Sequence, residues 1–362
     1  MGEGMTTHNR LPAQARARSW RRGAAAPPRT PALSVIVNCF NYEAFVGRAI
    51  QSVLDQNCGD CELIVVDDGS SDRSWDEIQR FPVAAFRIDN RGQRGACLFG
   101  LDQSRAPFIL FLDADDELKP GSLRTILGRL DPDVAKLQFS LGKIDADGRP
   151  IADGAAEPLT GFRDRERLAR QVTRTGVYRT PPTSGNVFRR DVCELLREAT
   201  YDQAVDGVIL FAAPFFGDVV SLPDELGRYR IHNRNDSGLG RLPNPRSLER
   251  DIGRFVARTE HLGAVLARLS GAKLVEPRNT FFFRERSLCL AIASGERPSL
   301  AALPGLLRAL AYEPFTPKNK LAMGLFFVLA SLLPSRKAKA LLAYRLQTGR
   351  RSPLGFLKEA LS

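Results

Sequence analysis

Residues 33–72 read LSVIVNCFNYEAFVGRAIQSVLDQNCGDCELIVVDDGSSD, and the alternation inside this stretch decides the fold. Leu33 to Cys39 is a short β-branched run, the kind that makes a strand buried on both faces. Glu43 to Gln56 follows as a helix with Phe45, Ile50, Val53 and Leu54 on its inner face. Glu62 to Val66 is a second buried strand, and it runs into Asp67-Asp68-Gly69-Ser70-Ser71-Asp72, a turn that can also cap the next helix. Strand, helix, strand at this spacing is a parallel βαβ unit.

The same rhythm continues outward. Val83 to Ile88 is a third strand, Asn90 to Ala96 (NRGQRGA) opens a helix, and Pro107 to Leu112 (PFILFL) is a fourth strand ending at Asp113-Ala114-Asp115-Asp116. Repeated βαβ units imply a doubly wound, mostly parallel α/β sheet. Beyond Leu130 the pattern becomes mixed, with a strand over Val134 to Leu141, a hairpin turn at Asp145 to Gly148 and a charged helix over Arg163 to Thr173. Pro181 to Arg190 (PPTSGNVFRR) is less regular; a helix near Asp206 and a strand over Gly227 to Ile231 follow. After about residue 245 the pattern is helical to the end, and no internal repeat is present.

With 362 residues, 43% of them hydrophobic and 26% charged, the composition is globular and fits one large domain with an appendage, or two domains. Much of the net charge of +11 lies at the ends. Residues 1–30 carry Arg10, Arg16, Arg18, Arg21, Arg22 and Arg29 against Glu3 alone, and read as a disordered basic leader. Lys318 to Arg351 holds eight Lys or Arg and no acid. Such ends are either solvated charge runs or contacts for an anionic surface. No aromatic-rich basic motif accompanies them, so nucleic acid is not the expected partner. Leu321 to Leu333 (LAMGLFFVLASLL) is apolar over about thirteen residues, short of the roughly twenty that cross a bilayer. It is a core helix, or one lying in an anionic membrane interface between Lys318 and Lys320 on one side and Arg336, Lys337 and Lys339 on the other. No apolar segment follows the leading arginines, so the expected location is cytoplasmic, peripheral to the membrane if that helix docks, with reduced cysteines. Cys58-Gly59-Asp60-Cys61 has a metal-like spacing, but no second pair completes a zinc site.

In an open parallel sheet, ligands bind beyond the carboxyl ends of the strands. Asn38 and Asn41, Asp67 and Asp68, Asn90 to Arg94, and Asp113 to Asp116 occupy four such ends and make one polar, carboxylate-rich rim. Asp113 and Asp115, two apart in an extended segment, can project the same way and suit Mg²⁺ or Mn²⁺ with further oxygens from water and phosphates. Alone, an Asp-x-Asp pair is as well read as a helix-capping turn.

LSVIVNCFNYEAFVGRAIQSVLDQ, ELIVVDDGSSD, NRGQRGA and PFILFLDADDELKPGSL, in that order and spacing, resemble the donor half of family 2 glycosyltransferases. TSGNVFRRDV and YRIHNRNDS resemble that family's acceptor-half and closing motifs. The resemblance covers residues 31–240, divided into a donor half over 31–130 and an acceptor half over 131–240, and leaves 241–362 as a helical C-terminal extension. It implies a GT-A fold, a nucleotide-sugar donor (most often UDP-linked) and inversion at the anomeric carbon; docking of the Leu321–Leu333 helix at a membrane would place the site near a glycan or lipid-linked acceptor. Carried over by position, Asp68 accepts from the base, Asn38 lies along the nucleotide, Asp113 approaches the ribose or the metal, and Asp115 ligates the metal. Asp116 can substitute for either of the last two. His232 matches a further metal or diphosphate contact, and Arg94 sits where it can reach the diphosphate. Asp206 matches the general base, with Asp202 nearby as a competitor and a helix N-cap as its plainer role. Two departures stand out: Ala204-Val205-Asp206-Gly207 lacks the acid that often precedes the base, and Leu98 replaces a common Asn.

Other classes fit less well. A nucleotide-sugar pyrophosphorylase places a Gly-rich loop after the first strand, where this chain has NCFNYEAF. A catalytically silent binding subunit of the same fold is expected to lack donor-site acids, yet Asp68, Asp113, Asp115 and Asp206 are all present. No GxxxxGK[ST] or GxSxG occurs.

Overall fold

The computed structural model of the chain describes residues 30–151, 159–199, 207–232, 235 and 244–346. Its first part alternates as the sequence predicts: β1 (Leu33–Cys39), α1 (Val46–Leu54), β2 (Cys61–Asp67), α2 (Ser74–Ile78), β3 (Ala84–Arg87), α3 (Gly92–Gln103) and β4 (Phe108–Asp113). These strands pair in parallel in the order β3-β2-β1-β4. All seven residues of β1 are buried, because successive side chains face opposite sides and both sides are covered. Val35 and Val37 pack with Ile50 and Val53 of α1, whereas Ile36 packs with Cys97 and Leu101 of α3. α3 approaches so closely that a Cβ on Gly100 would lie 2.4 Å from Ile36 Cγ2, so the contact requires glycine.

The chain continues through β5 (Glu117–Leu118), α4 (Ser122–Leu127), β6 (Val134–Ile144), β7 (Phe162–Asp164), α5 (Glu166–Thr175), β8 (Asn186–Arg189), α6 (Arg190–Cys193), α7 (Gly207–Phe216) and β9 (Asp218–Arg230). The full sheet runs β3-β2-β1-β4-β8-β6-β9-β5, with β7 also paired to β9. β8 is antiparallel to β4 and β6, so β6 and β9 again run with β1 to β4, and the sheet is mostly parallel in direction. β8 lies inside the stretch predicted to be irregular: four residues after Pro181 and Pro182 are too few to show an alternation. β9 begins nine residues before the predicted strand at Gly227. Pro223, Asp224 and Glu225 are exposed where its register against β6 shifts, and they mask the apolar pattern. The turn after β6 forms as expected, with Gly148 at φ 90° and the Asp145 amide donating to Arg149 O at 2.9 Å.

Helices α8 (Pro245–Ser270), α9 (Phe281–Ser294), α10 (Leu303–Tyr312), α11 (Pro317–Leu332) and α12 (Ser335–Leu346) complete the described chain. Asn244, Thr280 and Thr316 cap α8, α9 and α11 by accepting from the amides of Ser247, Phe283 and Asn319. Leu262, Val265 and Leu266 of α8 join the core beneath α3. Leu248, at its other end, joins a separate core with Ile292, Leu306, Phe326, Phe327 and Leu341. α8 therefore ties the helical unit to the sheet. Among the described residues no helix is long and apolar enough to cross a membrane. Cys58 and Cys61, against the expectation of reduced thiols, form a disulfide, because the turn between α1 and β2 brings their Cα atoms to 5.4 Å.

Candidate functional site

A cleft of about 1070 Å³ opens at the carboxyl ends of β1, β2 and β4, bordered by Asn38, Asp68, Gln93, Asp113, Asp115 and Arg254 among others. Register explains the first contact. Asn38 and Asp113 are direct partners across β1 and β4, and Asn38 Nδ2 donates to Asp113 Oδ1 at 3.4 Å. Asn38 Oδ1 is buried with no hydrogen-bond partner among the described residues, an acceptor suited to a ligand N–H or O–H. Asp68 follows β2, is buried, and accepts from the Arg91 amide at 2.8 Å. Burial pushes its carboxyl up, and the amides of Arg91 and Gly92 oppose that shift. Asn41, left-handed at φ 60°, holds the two loops together. Its Oδ1 accepts from the amides of Ser71 and Asp72, at 2.8 and 3.3 Å.

The acidic turn after β4 separates its three aspartates. The Asp116 amide donates to Asp113 O at 3.0 Å and closes the turn. Asp113 Oδ1 accepts from Gln93 Nε2 at 3.0 Å, while Asp115 Oδ2 meets His232 Nε2 at 3.0 Å and Asn235 Nδ2 at 3.4 Å. Asp116 turns the other way and is fully buried, accepting from Ser184 Oγ at 2.6 Å and the Arg230 amide at 2.9 Å. Burial, and then the charges of Asp115 and Asp113, push its carboxyl well above the usual carboxylate range. Asp116 is thus a structural acid and does not substitute for Asp113 or Asp115. Ser184 also accepts from the Asp113 amide, so one hydroxyl joins the segment before β8 to both acids.

Behind the turn lies Arg230, whose side chain is fully buried. It donates through Nε to Asp115 O at 2.8 Å and through Nη1 to Asp145 O and Ala146 O, both at 3.1 Å. Nη2 pairs with Glu117, and the guanidinium lies 5.2 Å from the centre of the Phe45 ring. The fork of a guanidinium meets these several acceptors at once, which a lysine does not.

Among the described residues no three His, Cys, Asp or Glu side chains converge to hold a metal by themselves. Asp113 and Asp115 still provide two hard carboxylates at the cleft, the donor set that Mg²⁺ or Mn²⁺ takes when phosphate and water oxygens supply the rest. His232, expected as a further metal or diphosphate contact, brings its Nε2 to Asp115 Oδ2 at the cleft and stacks on Phe45 with ring centres 4.8 Å apart. Arg94 does not reach the cleft. One residue along a helix turns the side chain by about 100°, so Gln93 lines the cleft while Arg94 donates to Leu196 O at 3.3 Å. Asp206 and Asp202 lie outside the described residues.

The sequence placed Gln93 on the rim without a role, and did not single out Ser184, Asn235, Arg230 or Arg254. TSGN and YRIHNRN were recognised as motifs, so Ser184, Arg230 and Asn235 sat inside a visible signal. Arg254 had none: it is a helical residue of α8, and among the described residues lining the cleft it is the sole Lys or Arg.

The profile of glycosyl transferase family 2 matches residues 34–196. An uncharacterised glycosyltransferase of Nostoc sp. is 34% identical over 216 residues, 56% of this chain and 66% of that protein. A Campylobacter jejuni GalNAc(5)-diNAcBac-PP-undecaprenol β-1,3-glucosyltransferase is 39% identical over 104 residues, 27% of this chain and 34% of that one. The chain thus spans less than two thirds of either relative. The succinoglycan biosynthesis protein ExoO of Rhizobium meliloti is 28% identical over 319 residues, 80% of this chain and 84% of that one. The matched segment begins in β1 and takes in β2 and β4, whose carboxyl ends border the cleft, but stops before β9, which adds Tyr229 to the lining. Through residues 34–196 the chain belongs to glycosyl transferase family 2.

Proposed function

We propose that this glycosyltransferase moves a sugar, with inversion, from a nucleotide-diphosphate-sugar (UDP-linked) to an acceptor hydroxyl in polysaccharide or lipid-linked glycan assembly at the cytoplasmic face of a membrane. The observation that carries the reading is the cleft where Asn38, Asp68, Asp113 and Asp115 meet at three adjacent strand ends. Asp68 and the unpaired carbonyl of Asn38 accept from the nucleotide. Asp113 and Asp115 hold Mg²⁺ or Mn²⁺, and His232 and Asn235 orient Asp115 by touching its Oδ2. When bound there, the metal offsets the charge that grows on the departing diphosphate. Arg254 faces the same charge from the extension. Asp206 removes the proton from the acceptor hydroxyl as its oxygen attacks the anomeric carbon. The relatives named for undecaprenol-linked and succinoglycan products support the acceptor class.

Titration calorimetry of UDP with and without Mn²⁺ tests the donor site. Chelation is expected to weaken binding at least about ten-fold, since two carboxylates then face a diphosphate without a counter-ion. Equal affinity in both conditions would remove the metal role. Asp206→Asn keeps the shape of the base and removes its proton-accepting charge. Turnover is expected to fall by about 10²-fold or more, with donor affinity little changed. A larger loss in Asp202→Asn would transfer the role to Asp202.

A further inference from the structure

A helix that is apolar all round belongs inside a core or against lipid, and from Leu321 onward α11 is apolar all round. Phe326, Phe327 and Ala330 face the helical core. On the opposite side Leu321, Leu325 and Leu332 are 76%, 48% and 64% exposed, with Val328 half-buried between them. Steps of three, four and seven residues return to one side of a helix, so these four form a continuous stripe. Single exposed leucines need no explanation, but a stripe does. Exposed Tyr312 ends α10, and exposed Phe315 stands in the connection leading into α11.

Charge identifies what covers this stripe. Lys318 is exposed one turn before Leu321 on the same side, and exposed Arg336 follows at the start of α12. No acid occurs between Lys318 and Leu346, and the nearest, Glu313, is buried with its carboxyl pushed up to about 7 by that burial. A second copy meeting this face symmetrically would set the same positive charges against themselves. Lysine is depleted in protein–protein interfaces generally. A leucine stripe with exposed cations at both ends and no acid on its own helix complements a surface that is anionic and apolar beneath.

We propose that the outer face of α11 docks the protein on an anionic phospholipid surface. The helix lies in the headgroup plane, with Leu321, Leu325 and Leu332 inserted and Lys318 and Arg336 against lipid phosphates. Its sixteen residues lie on the bilayer and do not span it. The inference goes beyond sugar transfer and does not depend on it.

The test is co-sedimentation of the full chain, without nucleotide or acceptor. The vesicles are phosphatidylcholine alone, or phosphatidylcholine with about one third phosphatidylglycerol. The protein is expected to pellet with the anionic vesicles at low salt and to leave them at high salt. The double variant Leu321→Glu, Leu325→Glu is expected in the supernatant, while Leu300→Glu, at an exposed site outside α11, pellets as the parent does. Lys318→Gln with Arg336→Gln is expected to weaken binding on the order of 30-fold, from two lost charges. All these side chains are exposed, and circular dichroism checks that each variant is folded. Parent protein remaining in the supernatant at low salt, equal pelleting with neutral vesicles, or undiminished pelleting of the double leucine variant would each overturn the proposal. So would a dimer that the double variant dissociates, which would assign the stripe to a second copy.

Discussion

Asp115→Asn is expected to lower sugar transfer by about 10³-fold while the protein keeps its fold and its melting temperature. The substitution preserves the shape of a buried side chain, and an amide can still meet His232 Nε2 and Asn235 Nδ2. What it removes is one of the two negative charges proposed to hold the metal. Metal coordination contributes several kcal/mol of charge stabilisation at a leaving group, and about 4 kcal/mol corresponds to roughly 10³ in rate. Steady-state kcat and KM at saturating Mn²⁺, beside a thermal melt, separate a chemical loss from a structural one. Turnover within about ten-fold of the parent would exclude Asp115 from the donor site. The companion result is that Asp115→Asn loses the Mn²⁺-dependence of UDP binding.

Arg230→Met is expected to destabilise the sheet domain by about 3–5 kcal/mol, the usual cost of removing one partner from a buried ion pair. The methionine fills much of the volume but leaves Glu117 only the half-exposed Arg228 as a counter-charge, and takes the one side-chain donor from the carbonyls of Asp115 and Ala146. Asp115 loses its backbone anchor at the same time, so residual folded protein should also bind metal and nucleotide poorly. Arg230→Lys restores the charge but not the fork, and is expected to recover only part of the stability. Urea unfolding followed by circular dichroism measures both variants. A loss below about 1 kcal/mol in Arg230→Met would show that the clamp does not hold the acidic turn.

The strands and helices of the donor half were legible because both faces of the sheet are buried. Leu33–Cys39 had to be continuously apolar, and α1 had to turn Ile50 and Val53 inward every third or fourth residue. For the same reason the positions of Asn38, Asp68, Asp113 and Asp115 could be read directly: polar residues directly after buried strands can only stand at the rim. Recognition of the family's motifs added the segment around Ser184 and Arg230 without saying what those side chains do.

Direction within the rim was not legible. Asp113, Asp115 and Asp116 are equivalent in the sequence, and only the turn closed by the Asp116 amide sends two of them to the cleft and the third into the core. Arg94 and Gln93 are neighbours in the chain, and the 3.6-residue period alone sends Gln93 to Asp113 and Arg94 to Leu196. β8 is too short to carry a pattern, yet it occupies the middle of the sheet because β4 and β6 both offer it a hydrogen-bonding edge. Likewise the apolar run at Leu321–Leu333 contained two answers at once, one for each face of α11. Local physics thus determined the mostly parallel sheet and the strand ends that make its site. Contacts distant in sequence decided which side chains point into the cleft, because hydrogen bonds from β9 and from the segment before β8 exist only once the sheet has assembled.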